Sequence, residues 1–325
     1  MIHPRRQLLS AFLGAALGAP WPAFAQPKDA PIRIGWLGNT EGGTPQARAI
    51  RAALLDELQR RGWVQGRNLT IEFRFAEGVA ERYPLHARQL VDAQVDLIVA
   101  VGAPGAAAAR QATKTIPVVF VSVDAPVEQG LVSSLARPGG NLTGQSTQSN
   151  ELVGKRLQLL KEAFPRVARV AVLDMAVAAQ MTMANQAAMA LGLQLTYTRA
   201  DNADELATAI AALPHADAWF VNDSQVNFAH RRAIVEAIAR QRKPAIYPAT
   251  AFVREGGLMA YSVDLVDQFR RAGEMVDRIL RGTRPADIPV EQPTKFVFAV
   301  NLSAARAQGL TMPQTLLLRA DELIE

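Results

Sequence analysis

Along the chain, short runs that are apolar at nearly every position alternate with longer stretches whose apolar residues recur every three or four positions. The first pattern predicts strands and the second amphipathic helices. IRIGWL at 32–37, LTIEFRF at 69–75, DLIVAVG at 96–102 and PVVFVSV at 117–123 are the first four runs. Helices are predicted between them: from about Pro45 to Arg61 with Ile50, Leu54 and Leu58 on one face, from about Tyr83 to Val91, and from Pro104 to about Ala112. Thr44 can cap the first helix, Pro45 suits its first turn and Gly62 can end it. Strands this uniformly apolar belong to a sheet covered on both faces, and the intervening helices are the crossovers that parallel pairing needs.

The rhythm breaks at ARPGGNLTGQS, 136–146, and then starts afresh. Helices over 150–163, 180–190, 203–213 and 228–241 alternate with RVAVLDM at 169–175, LQLTYTR at 193–199, ADAWFVN at 216–222 and PAIYPA at 244–249. The tail reads as a strand, GGLMAYSV at 256–263, then a helix over 265–281 with Phe269, Val276 and Leu280 inward. TKFVFAV at 294–300 is a further strand, and a short helix follows from Ser303 to about Gln308. This tail is too short for a third domain, so the chain is expected to return to the first lobe and cross again. The predicted fold class is α/β: two Rossmann-like lobes with parallel sheets joined by a multi-segment hinge, with one single large sheet as the alternative that element counts leave open. The expected division is 32–143 plus 250–290 for the first lobe and 144–249 plus 291–325 for the second.

Residues 1–25 stand apart from this pattern. Arg5 and Arg6 precede an apolar run from Leu8 to Leu17, and Ala23-Phe24-Ala25 offers the small residues of a cleavage site, so an export signal is expected here. The arginine pair followed by Gln7-Leu8-Leu9 partly matches a twin-arginine signal, which leaves both the general secretory and the twin-arginine routes open. The expected location is periplasmic. No later stretch is long and apolar enough to span a bilayer, so no membrane insertion of the mature chain is expected.

Composition narrows the function classes. Of the 325 residues, 49% are apolar and 20% charged, enough for a sizeable core and incompatible with dominant disorder. There is no cysteine, which removes thiol nucleophiles, thiolate metal sites, disulfides and a lipoprotein anchor together. The formal net charge of +5 falls by two when Arg5 and Arg6 leave with the signal. The remaining arginines sit beside acids, as in Arg51, Asp56, Glu57, Arg60 and Arg61, which is a solvated helix face and not a nucleic-acid stripe.

Catalytic signatures are missing. The segment after the first strand, Gly35 to Gly43, lacks the glycine spacing that dinucleotide binding needs, and no phosphate-binding loop, nucleophile elbow or HExxH is present. His86, His215 and His230 are far apart in polar stretches. Neither a metal nor a cofactor is called for. Asp124 and Asp223, each following a strand, could serve an exported hydrolase or isomerase as acid and base, or serve a receptor as ligand anchors. A cytosolic sensor of the same fold would need a DNA-binding segment where the export signal stands.

In open α/β sheets ligands gather at the carboxyl ends of the strands. Small and polar residues recur there: Gly38, Asn39 and Thr40; Gly102, Ala103 and Pro104; Ser122 and Asp124; and, in the second half, Asp174, Asn222, Asp223, Ser224 and Tyr247. The run 243–313, beginning KPAIYPATAFVREGG, together with SLARPGGNLTG at 134–144 and the opening IRIGWL, resembles the ABC-transporter substrate-binding family that includes tryptophan- and tyrosine-binding proteins. The resemblance spans the mature chain. It implies a type I periplasmic binding protein that captures a small polar solute, an amino acid or aromatic carboxylate, and delivers it to a membrane permease driven by a separate ATPase. Carried over by position, the family's cleft loops correspond to Asn39 and Thr40, Gly102 and Ala103, Asp124, Asp223, Tyr247 and Tyr261. The loops at 174–178 and 222–225 depart from the family pattern. An aromatic ring, Trp36 or Tyr247, could cover the solute's apolar part, although Trp36 also suits the core beneath the sheet.

Overall fold

The computed structural model describes residues 31–39, 43, 45–173, 178–200 and 202–325. The export-signal segment, Thr40, Thr44 and Asp174 therefore lie outside the described residues. The first half runs β1 (Ile32–Gly38), α1 (Pro45–Arg60), β2 (Leu69–Phe75), α2 (Arg82–Asp92), β3 (Leu97–Val101), α3 (Gly102–Ala112), β4 (Val118–Val123) and β5 (Leu142–Ser146). These strands form one parallel sheet in the order β2-β1-β3-β4-β5. Leu97, Ile98, Val99 and Ala100 of β3 are all inaccessible to solvent, as a strand covered on both faces must be.

The second half continues with α4 (Ser149–Ala163), β6 (Arg169–Leu173), α5 (Ala178–Ala190), β7 (Gln194–Thr198), α6 (Ala203–Ala211) and β8 (Ala218–Val221). Next come α7 (Gln225–Ala229), α8 (Arg231–Arg240), β9 (Ala245–Tyr247), α9 (Thr250–Arg254), β10 (Met259–Val263) and α10 (Leu265–Leu280). The chain ends in β11 (Phe296–Asn301), α11 (Leu302–Gln308), α12 (Gln314–Leu317) and β12 (Glu322–Ile324). The second sheet has the order β12-β11-β10-β9-β8-β6-β7. Successive residues alternate between its two cores: Val170 and Val172 face α4 and α5, whereas Ala171 and Leu173 face the side of α6 and α8. Polar side chains start several helices. Asn202 accepts from the amides of Asp204 and Glu205, Asp264 from that of Asp267, and Asn301 from that of Ala304.

Three features correct the expected layout. Residues 250–263, expected in the first lobe, are α9 and β10 of the second, because the apolar β10 is inserted between β9 and β11. Residues 144–146, expected to open the second lobe, are the end of β5 in the first sheet. The second sheet is not wholly parallel: β11 enters from the hinge side and so runs antiparallel to β10, with Tyr261 opposite Phe298.

Helix α10 does return to the first lobe. It packs on α1 and β4, where Phe269 stacks on Trp36 with ring centroids 5.3 Å apart and Met275 and Val276 are fully buried. Gly273 lets α1 come close, since a Cβ there would lie 2.9 Å from the Glu57 Cβ. The edge of this contact is charged: Asp277 accepts from the Trp63 indole at 2.9 Å and from Arg61 and Arg281. The lobes are thus joined by three stretches of chain, 147–148, 264 and 291–295. The Ser146 amide donates to the Glu291 carbonyl and the Glu291 amide to that of Gly144, both at 2.9 Å, while Asp264 N–H donates to the Lys295 carbonyl. The Glu291 carboxylate also holds Gln145 at 2.8 Å and Arg271 at 2.6 Å.

Candidate functional site

The C-terminal ends of the parallel strands place the polar loops beside these connections. In the first lobe, Asn39 is tied down locally: its Oδ1 accepts from the Gly78 amide at 2.8 Å and its carbonyl from Glu77, which locks the exit of β1 to that of β2. Gly102 opens α3 with φ +75°, a conformation that suits glycine, and Ala103 follows, half-buried. Val101, at the cap position, has no side-chain acceptor, so the first-turn amides of α3 receive no side-chain cap.

Beyond β4 the backbone is strained. Ser122, Ala125 and Gln148 all have φ between 43° and 60°, unusual for residues that are not glycine. Ser122 donates from Oγ to Gln268, which in turn donates to the Ser146 carbonyl at 2.7 Å. A cavity lies where this loop meets the hinge and the first turns of α4, lined by Asp124, Glu128, Ser146, Gln148, Glu151 and Gln292 among others. Its walls come from both lobes. Ser146 is buried and its hydroxyl has no hydrogen-bond partner. A larger concavity between α8 and α11 opens at the opposite end of the second sheet, lined by Arg240, Arg242 and Gln308, away from the strand ends that face the hinge. Strand polarity, and not size, therefore marks the cleft.

In the second lobe, Asp223 follows β8 and is exposed. The loop after it is pinned by Asn227, whose Nδ2 donates to the Asn222 carbonyl at 2.9 Å, and by Asn222, which donates to Gln180 at 3.1 Å. Arg156 on α4 is 1% exposed. Its Nε donates to the Tyr261 carbonyl at 2.7 Å and one Nη to the Pro248 carbonyl at 3.1 Å, while the other Nη has no hydrogen-bond partner. Burial pushes the guanidinium pKa down to about 10, while Asp223, Tyr261 and Asp124 pull it back upward. It stays charged at neutral pH.

Among the expected residues, Asp124 lines the cavity, whereas Asp223 does not; both carboxylates act on the Arg156 guanidinium through their charge alone. Tyr261 contributes its carbonyl; its ring stacks on Phe296, and burial pushes its phenol pKa up. Tyr247 does not reach the cleft wall: it is 2% exposed, stacks on Phe252 in the core, and has its pKa raised by burial. Trp36 is likewise core. Arg156, Ser146, Gln148 and Glu151 were not anticipated. Arg156 sits in the apolar phase of α4 with Leu152 and Leu160, and that misplaced charge is the signal that could have marked it. Among the described residues no three His, Asp or Glu side chains converge as metal ligands, and no helix is long and apolar enough to cross a membrane.

A model of the ABC transporter substrate binding protein family matches residues 43–324. The chain belongs to this family. A tyrosine-binding protein of Clostridioides difficile is 27% identical over 287 residues, covering 86% of this chain and 82% of the relative. A conserved domain protein from Vibrio cholerae superposes with a TM-score of 0.81 at 28% identity, over 90% of this chain and 99% of that one. An ABC domain from Streptococcus pneumoniae in complex with L-Trp gives 0.81 at 26% identity, over 91% and 100%. The two α/β sheets are those of a type I periplasmic binding protein, and the family is one of substrate-binding proteins.

Family membership gives the RPGGNLTG run a structural meaning. Asn141 donates to the Ile116 carbonyl at 2.7 Å, Thr143 donates to that of Ile288 at 2.7 Å, and Gly144 lies against Phe120. Asn141 and Gly144 thus fit β5 against β4 and the turn before it, and Thr143 fastens β5 to the segment that returns after α10.

Proposed function

We propose that the protein is an exported receptor that closes its two lobes over a small carboxylate-bearing solute, an amino acid or an aromatic carboxylate, and delivers it to an ABC permease. The observation that carries this reading is a cavity beside the hinge whose walls are the loop after β4 of the first lobe and the first turn of α4 of the second. The amino acids named for two relatives, tyrosine and L-Trp, support the solute class. The uncapped first turn of α3, after Gly102 and Ala103, supplies amides for a carboxylate, and Asp124 and Asp223 supply acceptors for an amino group. Closure follows from tighter binding to the closed form. Residues 1–25 act as the export signal, cleaved after Ala25, and the mature protein works in the periplasm. Its partners are the solute and the permease.

The test is thermal unfolding of the exported protein, whose intact mass also reports cleavage, against a panel of amino acids, aromatic acids and nucleosides. A ligand at about 100 times its Kd adds about 2.7 kcal/mol, several degrees of melting temperature. One carboxylate-bearing solute is expected to give that shift and to be recovered unchanged. No shift across the panel, or turnover of the bound solute, would refute the receptor reading; turnover would favour a hydrolase or isomerase using the aspartates.

A further inference from the structure

Among the described residues, Arg156 is the only basic side chain buried below a tenth of its surface. A charge removed from water needs partners, and its two hydrogen bonds go to neutral carbonyls, of Tyr261 and Pro248. The remaining Nη has no acceptor. Both carbonyls lie on the second sheet near the hinge: Pro248 follows β9, next to the exit of β8 that carries Asp223, and Tyr261 is in β10. The charge is therefore fixed on the second sheet, beside the exits of β8 and β9 and behind the cavity wall, by backbone carbonyls that cannot neutralise it. The cavity wall bears Asp124, Glu128 and Glu151 and no basic side chain. Taken alone, these side chains favour a cation.

We propose that Arg156 is the specificity-determining residue of the cleft, a fixed positive charge that admits a solute with a carboxylate and discriminates against the amine that lacks one. This inference rests on the cleft being the solute site. Its effect is electrostatic and does not require direct contact. A unit charge several ångströms from the solute in a half-buried site changes affinity on the order of tenfold. Removing it weakens attraction for a carboxylate and relieves repulsion of an ammonium group, so the two changes have opposite sign. A structural defect would weaken both ligands together.

The experiment measures, by calorimetry, the affinities of L-tyrosine and L-tryptophan against tyramine and tryptamine. The proteins are the wild type, Arg156→Gln and Arg156→Lys. The wild type is expected to prefer the amino acids by roughly tenfold or more, Arg156→Gln to lose that preference by a similar factor, and Arg156→Lys to keep most of it. An unchanged ratio in Arg156→Gln would overturn the inference and leave the receptor reading intact, as would a wild type that binds the amines as well as the amino acids. If Arg156→Gln does not fold, the wild-type and Arg156→Lys ratios decide. A wild type that binds none of the four and gives a melting shift only with a carboxylate-free solute overturns the inference and the proposed solute class but leaves a receptor; no shift with any solute overturns the receptor reading as well.

Discussion

Gly144 offers a test of whether the RPGGNLTG run is architectural. A Cβ at this position would lie 2.0 Å from the Phe120 carbonyl oxygen and 2.7 Å from the Phe120 carbonyl carbon and Cδ2. Relief requires β5 to retreat from β4 by about 1 Å or more, given ordinary carbon–oxygen contact distances. The retreat strains the pairs Val119–Thr143 and Phe120–Gly144 and the hinge bond from the Glu291 amide to Gly144. Two or three weakened backbone hydrogen bonds at about 1 kcal/mol each, with loosening around the inaccessible Phe120, put Gly144→Ala at about 3–4 kcal/mol. For a protein of this size that lowers the melting temperature by roughly 5–6 °C. The control is internal to the motif: a Cβ at Gly140 would meet nothing within 4 Å, so Gly140→Ala should change stability by less than about 0.5 kcal/mol. Thermal unfolding followed by circular dichroism reads both variants. A Gly144→Ala protein that melts within 2 °C or so of the wild type, or a Gly140→Ala protein that falls as far, would refute the reasoning.

Phe269→Ala removes the ring that stacks on Trp36 and should cost about 3–5 kcal/mol, with a red shift in tryptophan emission; a small loss would mean that α10 is not integral to the first lobe. Asp217 accepts from the amides of Ala168 and Arg169 and from the Arg169 guanidinium at 2.8 Å, and these bonds hold its carboxyl pKa down at about 2. A depressed acid contributes stability above its unfolded pKa of about 4 and loses it as pH falls through the folded value. Partial exposure reduces the contribution to about 1 kcal/mol. The stability gap between wild type and Asp217→Asn, measured by urea unfolding, should therefore be present at pH 5 and shrink between pH 4 and pH 2. A gap that does not vary with pH would remove Asp217 as its source.

Much of the architecture was legible because burial on both faces of a sheet leaves a strong local mark. The run at 69–75 coincides with β2, and the strands near 97–101 and 118–123 stand out as unbroken apolar segments. The site was only partly legible. Asp124 could be placed at a strand exit by counting elements, and the structure puts it on the cavity wall. Tyr247 was misplaced because which side of a short strand an aromatic faces depends on the helix that covers it; here α9 brings Phe252 against the ring. Arg156 was passed over because an arginine inside a helix ordinarily points to water.

Hydrophobic periodicity by itself determined the alternation of strands and helices and the restart after residue 146, since both are properties of neighbouring residues in the chain, and composition alone excluded cysteine chemistry. Tertiary structure alone decided that β10 joins the second sheet, so that the expected return to the first lobe begins only with α10, and that β11 runs against its neighbour. It alone buried a guanidinium from α4 against the carbonyls of Tyr261 and Pro248. Those outcomes depend on which distant surfaces can cover one another and leave fewest buried polar groups unpaired, a condition that no local window of sequence contains.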